Sequence, residues 1–543
     1  MRTNAHRVRT PGSRAGTALA GLVAVGLFAT GCTGSSGGTR GGQATSFTFG
    51  IGAAPISLDI AKDFDGNIMQ IMALVTEKLE LISSNGDLSP ALATSVTQPD
   101  STTLVYHIRS GVTFSDGTPL TAQDVAWSLQ HMTDVKAGAQ TAGNVPSFQS
   151  AAASGPLQVT VKLKRLDPTA RQNLAVISFV QEAKFGAAHQ KDLGTAAAIP
   201  IGTGPYQVSS DTTQAVSLTR NPHYWGPKPP MSKISFNVIT GGDNTSQLAM
   251  RSGSIQGTLV ANLKTASQWQ AVKGASLYTL PALTTTFLTL DISSGPLSDV
   301  HVRKAIAYSI DRAGVMAAGY GKYASLMRGL APAGVLADVA PSVQEAEAFL
   351  AALPQYDLDP AKARSELAQS AYPHGFSLTI PYVQDAPFSQ LTVENLAQNV
   401  KPLGVTIKLK AITTQQWIAT IYAHGKGLGV QTMELIPPVP DPGAVLGVVT
   451  GKPNIRPQGF NLANWSTPQV EQAFTQLTTS VDKQTRWRAA QTLLTAIADD
   501  VPYIPLYDPD TVAVLGNGFS FSRALTLFDL DVNGTWASAL KTG

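Results

Sequence analysis

Residues 106–125 read YHIRSGVTFSDGTPLTAQDV, and this one stretch carries a strand, a turn and a capped helix start. Apolar and polar residues alternate through 103–109, which predicts a half-buried strand. Ser115, Asp116 and Gly117 follow with turn chemistry: short oxygens that bond nearby backbone and a glycine free to take positive φ. Thr121 is placed to accept the N–H of Asp124 while the Asp124 carboxylate reaches back, so a capping box predicts a helix over 122–132.

Toward the N-terminus, alternation marks a strand over 45–51, and Ile68, Ile71, Met72 and Val75 share one face of a helix over 67–78. Short strands over 79–82 and 88–91 flank Ser84-Asn85-Gly86-Asp87, where Asn-Gly favours a hairpin. Toward the C-terminus, strands are expected over 157–164, 206–208, 215–219, 234–238 and 287–290. Val302, Ala305, Ile306 and Ser309 set the spacing of a helix over 300–310, and Pro360 opens another through Ala368. A strand at 376–381, a helix at 390–400, a strand at 405–410 and a helix at 414–422 form a βαβα run that suits a mixed α/β lobe. Helices over 468–477 and 483–498 and an apolar strand over 503–507 complete the pattern.

The chain of 543 residues is 43% apolar and only 14% charged. Cores divide beyond roughly 250–300 residues, so two or more lobes are expected. Its single cysteine, Cys32, follows Arg2, Arg7, Arg9 and Arg14 and the apolar stretch 15–29. Residues 1–31 read as a lipoprotein signal peptide whose removal leaves Cys32 first and ready to carry lipid. An apolar run of about 15 residues falls short of the roughly 20 that span a bilayer, so lipid on Cys32 is the expected anchor. Residues 32–44, rich in Gly, Ser and Thr, read as a flexible tether. Losing 1–31 removes four of the 39 basic residues and none of the 36 acidic ones, a formal charge of −1. Nothing basic remains to attract nucleic acid or an anionic surface. With no second cysteine there is no internal disulfide and no thiolate metal site.

Several segments, in order, resemble the extracellular solute-binding proteins of ABC importers, family 5, the group that takes dipeptides, oligopeptides and nickel complexes. They are 88–93 (LSPALA), 106–125, 200–206 (PIGTGPY), 220–226 (RNPHYWG), 299–312 (DVHVRKAIAYSIDR), 359–368 and 500–507 (DVPYIPLY). The resemblance covers most of 45–510. It implies an α/β, two-lobed periplasmic-binding-protein-like fold of type II, with the extra subdomain of the peptide-binding group. The expected division is 45–290 for the first lobe with its subdomain, 291–500 for the second, and 501–543 returning to the first. It also implies a monomer held at the extracytoplasmic face of the cell membrane, capturing short peptides or another small solute between its lobes for permease subunits and their ATPases. Gly202, Gly204 and Pro205 are expected to make a tight turn of close backbone approach, and Arg303 and Arg312 to fix packing.

In the peptide binders an aspartate three residues before an acid-Pro pair holds the peptide ammonium. The matching segment here is 431–442 (QTMELIPPVPDP), in which Asp441-Pro442 agrees with the pattern. Pro438 stands where the ammonium-binding aspartate is expected, and Leu435 where the family carries tryptophan. A buried ammonium needs a partner, so Glu434 or Asp65 would take over the pairing, or the ligand carries no free amine there. Asp441 itself is expected to cap the helix that follows Pro442. Phe64, Asp65, Phe287, Trp417, Glu434, Leu435, Ile436, Asn461, Asn464 and Trp465 are the candidate ligand contacts, each in competition with ordinary packing.

The competing classes are thin. The only G-x-S-x-G match, at 34–38, lies in the tether with no strand before it, so it is no nucleophile elbow. There is no H-E-x-x-H pair and no glycine-rich nucleotide loop, and the eight histidines are scattered. No catalytic residue, metal or cofactor is expected. A non-peptide solute (sugar, metal chelate or apolar envelope metabolite) and a ligand-free envelope scaffold remain as alternatives.

Overall fold

The capping box forms as the sequence predicts. Thr121 N–H donates to Asp124 Oδ2 at 2.9 Å, and Asp124 N–H donates to Thr121 Oγ1 at 3.4 Å. The helix it starts, Ala122–Met132, turns Val125, Ala126, Leu129 and Met132 inward. It covers an antiparallel four-stranded sheet in the order Ala93–Asp100, Thr103–Ile108, Gln158–Leu163, Phe148–Gly155. The computed structural model describes residues 45–384 and 386–543; the signal segment, the tether and Cys32 lie outside the described residues. Residues 44–543 form one compact unit, and among the described residues no helix is long and apolar enough to cross a membrane.

Two larger sheets organise the rest. The first has seven strands, in the order Ser276–Leu280, Thr511–Leu515, Gly257–Leu259, Ser46–Ile51, Lys233–Val238, Ala215–Arg220, Tyr206–Asp211. Its central strand Ser46–Ile51 runs parallel to both neighbours. The second has four strands, in the order Ala324–Leu326, Tyr503–Pro509, Thr285–Leu290, Val430–Leu435, all antiparallel. Beside it, Ser377–Val383 and Thr406–Ile412 make the parallel pair that the βαβα run predicts.

The chain therefore passes between the two sheets at 281–284 and again at Asp510. Thr285–Leu290, assigned to the end of the first lobe, and Tyr503–Pro509, assigned to the returning tail, both pair within the second sheet. The first is buried on both faces, as a central strand must be, which is why its composition did not reveal its sheet.

The helix expected over 67–78 stops at Met72. Beyond it the backbone is claimed by the PIGTGPY turn: Gly204 N–H donates to Val75 O at 2.9 Å and Tyr206 N–H to Leu74 O at 3.0 Å. A Cβ on Gly202 would lie 2.0 Å from Val75 O, so close approach, not flexibility, requires the glycine. Arg303 and Arg312 fix packing as expected. Arg303 donates to Asp500 O, Leu297 O and Ser298 O, and Arg312 to Met327 O and Pro505 O.

Candidate functional site

A cavity of about 500 Å³ opens where the chain crosses between the sheets, within the range of small-molecule sites. The crossings supply Pro281, Ala282, Leu283, Thr284 and Thr511. One wall is the start of the helix Gly66–Met72, with Phe64, Asp65, Asn67, Met69 and Gln70. The second sheet contributes Ile436, Pro437 and Pro438, which follow the strand Val430–Leu435, and the C-terminal segment contributes Phe528, Asp531 and Val532. Among the described residues no Lys, Arg or His lines it, and its charged residues are Asp65 and Asp531. A second cavity of about 820 Å³ adjoins it across Ser84, Pro281, Ala282 and Leu283, and carries Arg328, Glu347 and Asp508.

The carboxylates of these cavities differ in what holds them. Asp65 is exposed and caps its helix, its Oδ1 accepting from Asn67 N–H at 2.8 Å and Ile68 N–H at 3.1 Å. Asp531 lies in a turn of π-helix, Phe528–Val532, whose Phe528, Leu530 and Val532 pack into the core. That packing turns the two acids of the segment to different fates. Burial works to raise Asp529, but the Arg523 guanidinium, Thr535 and Thr526 outweigh it and hold its pKa at about 2. Asp531 has no such cation, and burial pushes it up to about 7, offset only in part by a hydrogen bond from Gln70 Nε2 at 2.9 Å. Asp508 is raised to about 8, first by burial and then by neighbouring Asp510, and its Oδ1 finds no partner among the described residues. Desolvation without a compensating charge explains both shifts.

Of the expected contacts, the structure brings Phe64, Asp65 and Ile436 together in the cavity wall. Pro438 is there as well, so an apolar ring stands in this wall at the position where the family's aspartate is expected. Leu435 packs against the apolar core instead. Glu434 turns away: strand alternation puts Met433 and Leu435 on the core side and leaves Glu434 near Tyr320 and Tyr507, its pKa raised by burial.

Phe287 is fully buried, edge-on to Tyr503 at 5.8 Å. Asn461 is buried too. It donates to Gly451 O and Trp465 O and accepts from Tyr503 Oη. Trp465 is buried with its indole N–H on Asp500 Oδ2 at 3.0 Å. Asn464 takes φ 52° and donates to Asp291 Oδ1 at 3.0 Å. Trp417 packs against the large apolar cluster. These five, with Glu434 and Leu435, stand outside the linings of both cavities; hydrogen bonds tie Asn461, Asn464 and Trp465 into the framework, Phe287 is held by core packing, and the buried indole N–H of Trp417 meets no acceptor among the described residues. Asp441 caps as expected, accepting from Gly443 N–H at 2.7 Å, and also pairs with buried Arg486 at 2.6 Å.

Gln70, Leu283 and Asp531 were not foreseen. Leu283 sits in a crossing that carried no motif, and Asp531 lies beyond the last matched segment. The readable signal was the spacing of Phe528, Leu530 and Val532, which leaves two acids interleaved with core residues. Among the described residues, no group of three or more His, Cys, Asp or Glu converges to hold a metal ion.

Among known proteins, the family described as bacterial extracellular solute-binding proteins, family 5 Middle, matches residues 87–456. The chain is 25% identical over 431 residues to the glutathione-binding protein GsiB of Escherichia coli K12, covering 77% of this chain and 80% of that one. The structure of HbpA2 from Haemophilus parasuis matches with a TM-score of 0.78 at 20% identity, over 92% of this chain and 100% of that chain. The periplasmic binding protein DppA of Helicobacter pylori, in complex with the peptide STSA, matches with a TM-score of 0.70 at 18% identity, over 92% and 98%.

Proposed function

The chain belongs to the bacterial extracellular solute-binding proteins of family 5, and from that premise we propose that it captures short peptides with a free amino terminus and delivers them to the permease of an ABC importer. It is a binding protein, not an enzyme, and the cavity at the lobe crossings is its ligand site in this reading. The observation that carries the reading is the charge of that cavity: two carboxylates, no cation, and otherwise mostly apolar walls. A buried ammonium is the group such a lining receives best, because it gains charge-assisted hydrogen bonds where water is scarce. The glutathione of GsiB and the peptide STSA of DppA are both peptides, which supports the class.

Lipid on Cys32 would hold the protein at the outer face of the membrane, with residues 33–44 as tether, beside two permease subunits whose cytoplasmic ATPases drive uptake. Closure within one chain needs no second copy, so a monomer suffices.

Native mass spectrometry of the purified mature protein with mixed tri- and tetrapeptides tests the proposal. Retention of one peptide per chain at micromolar concentration is the expected result; a co-purified sugar or metal chelate that peptides fail to displace would overturn it. Labelled palmitate incorporated into the wild type but not into Cys32→Ser tests the anchor.

A further inference from the structure

We infer that Asp531 and Gln70 together form the receptor for the ligand's ammonium group, an inference that rests on the peptide reading above. Gln70 is 1% exposed, on the helix Gly66–Met72, yet it lines the cavity. Its Nε2 donates to Asp531 Oδ1 at 2.9 Å, which fixes the amide's orientation. Its Oε1, buried, meets no donor among the described residues. An orphaned buried acceptor costs free energy unless a donor arrives, and beside it stands a carboxylate with no Lys, Arg or His in the same lining.

An ammonium carries three donors and no acceptor. Asp531 and the Gln70 amide oxygen would accept two of them, and the charge would meet its countercharge. Met69, Phe528 and Val532 around the pair are apolar, which strengthens such a bond. Asp65 is less suited, because it is exposed and its Oδ1 is already taken by two backbone donors. Glu434 lies outside the lining. The pair comes from residues separated by 461 positions, so it is built by folding and not by any motif.

Calorimetric titration with trialanine and N-acetyl-trialanine tests the assignment on the mature protein. The wild type should prefer the free amine by about tenfold or more, the worth of a charge-assisted hydrogen bond. In Asp531→Asn the preference should fall to near unity, with the affinity for N-acetyl-trialanine unchanged. In Gln70→Met it should fall severalfold. A thermal melt checks each fold, and if Asp531→Asn does not fold, the ratio in Gln70→Met decides. A variant that keeps the preference, or a wild type that binds both probes equally, overturns this inference and leaves the peptide reading standing. A wild type that binds neither overturns both.

Discussion

Replacing Arg486 by methionine is expected to destabilise the protein by about 3–5 kcal/mol, the cost of breaking a buried ion pair by removing one partner. Arg486 is 3% exposed. Its guanidinium donates to Asp441 Oδ1 at 2.6 Å and to Leu477 O at 3.0 Å, and stands 3.6 Å from Asp338. Methionine keeps most of the apolar stem, so packing loss is small and the change is chiefly electrostatic. Asp338 would keep Lys483 at 3.0 Å. Asp441, fully buried, would keep only the Gly443 N–H, and that stranded carboxylate accounts for most of the loss. Removing it as well, in Asp441→Leu with Arg486→Met, should recover about 2–3 kcal/mol, since no uncompensated charge then remains. Guanidinium unfolding of wild type, both single variants and the double variant measures the coupling. A single Arg486→Met costing under about 1 kcal/mol, or a double variant costing the sum of the singles, would refute the reasoning. The pair matters to the site because Asp441 anchors the chain three residues after Pro438 in the cavity wall.

Three further outcomes are expected. Trialanine affinity should rise with pH between about 6 and 7.5, because Asp531, carried to about 7 by burial, must ionise to receive an ammonium; above about 8 the peptide loses its own proton. The groups around Asp531 are Gln70 and the exposed Asp65 on the helix Gly66–Met72, Asp529 is held by Arg523, and the turn Thr535–Ala539 adds no charge; a dissociation constant flat across that window in stepped-pH calorimetry contradicts the assignment. Asp508→Asn should be nearly neutral near pH 4 and stabilising by about 5 kcal/mol above pH 8, because the unfolded carboxyl ionises near 3.8 whereas burial, with neighbouring Asp510, holds the folded one to about 8, so the cost accrues as pH rises between them; melts at both ends of that range check the sign. Ile436→Lys should weaken free-amine peptides about tenfold by placing a cation in a lining that has none, while stability stays within about 0.5 kcal/mol because Ile436 is 65% exposed; equal peptide affinity would show that 436 does not face the ligand.

Local chemistry was legible where a few adjacent residues decide the outcome. Thr121 and Asp124 specified their capping box, and the helix Pro360–Ala368 begins and ends as its proline and composition predict. Strands with exposed or small residues were not legible: Ala93–Asp100 is mostly exposed and Phe148–Gly155 is largely Ala and Ser, so neither alternates in hydropathy. The sheet to which Thr285–Leu290 belongs was hidden for another reason. A strand buried on both faces reads the same in either sheet, and its partners lie at least 140 residues away. Trp465 and Asn461 were attractive as platforms because their side chains suit ligands, but the same donors and acceptors satisfy Asp500 and Tyr503 in the core.

The distribution of charge in the cavity also bears on the order of binding. Asp531 and Gln70 sit on elements that pack against each other, the turn Phe528–Val532 and the helix Gly66–Met72, so the two acceptors are assembled without help from the second sheet. The second sheet's share of the lining, Ile436, Pro437 and Pro438, is wholly apolar. A ligand amine would then dock first on the side that carries the carboxylate, and the apolar segment would close over it, removing water and strengthening the bond already made. On that order, Asp531→Asn should slow capture and weaken affinity together, whereas Ile436→Ala should leave the association rate unchanged and raise dissociation alone. Stopped-flow mixing with a fluorescent tripeptide separates the two rates, and an association rate that falls for Ile436→Ala would reverse the order.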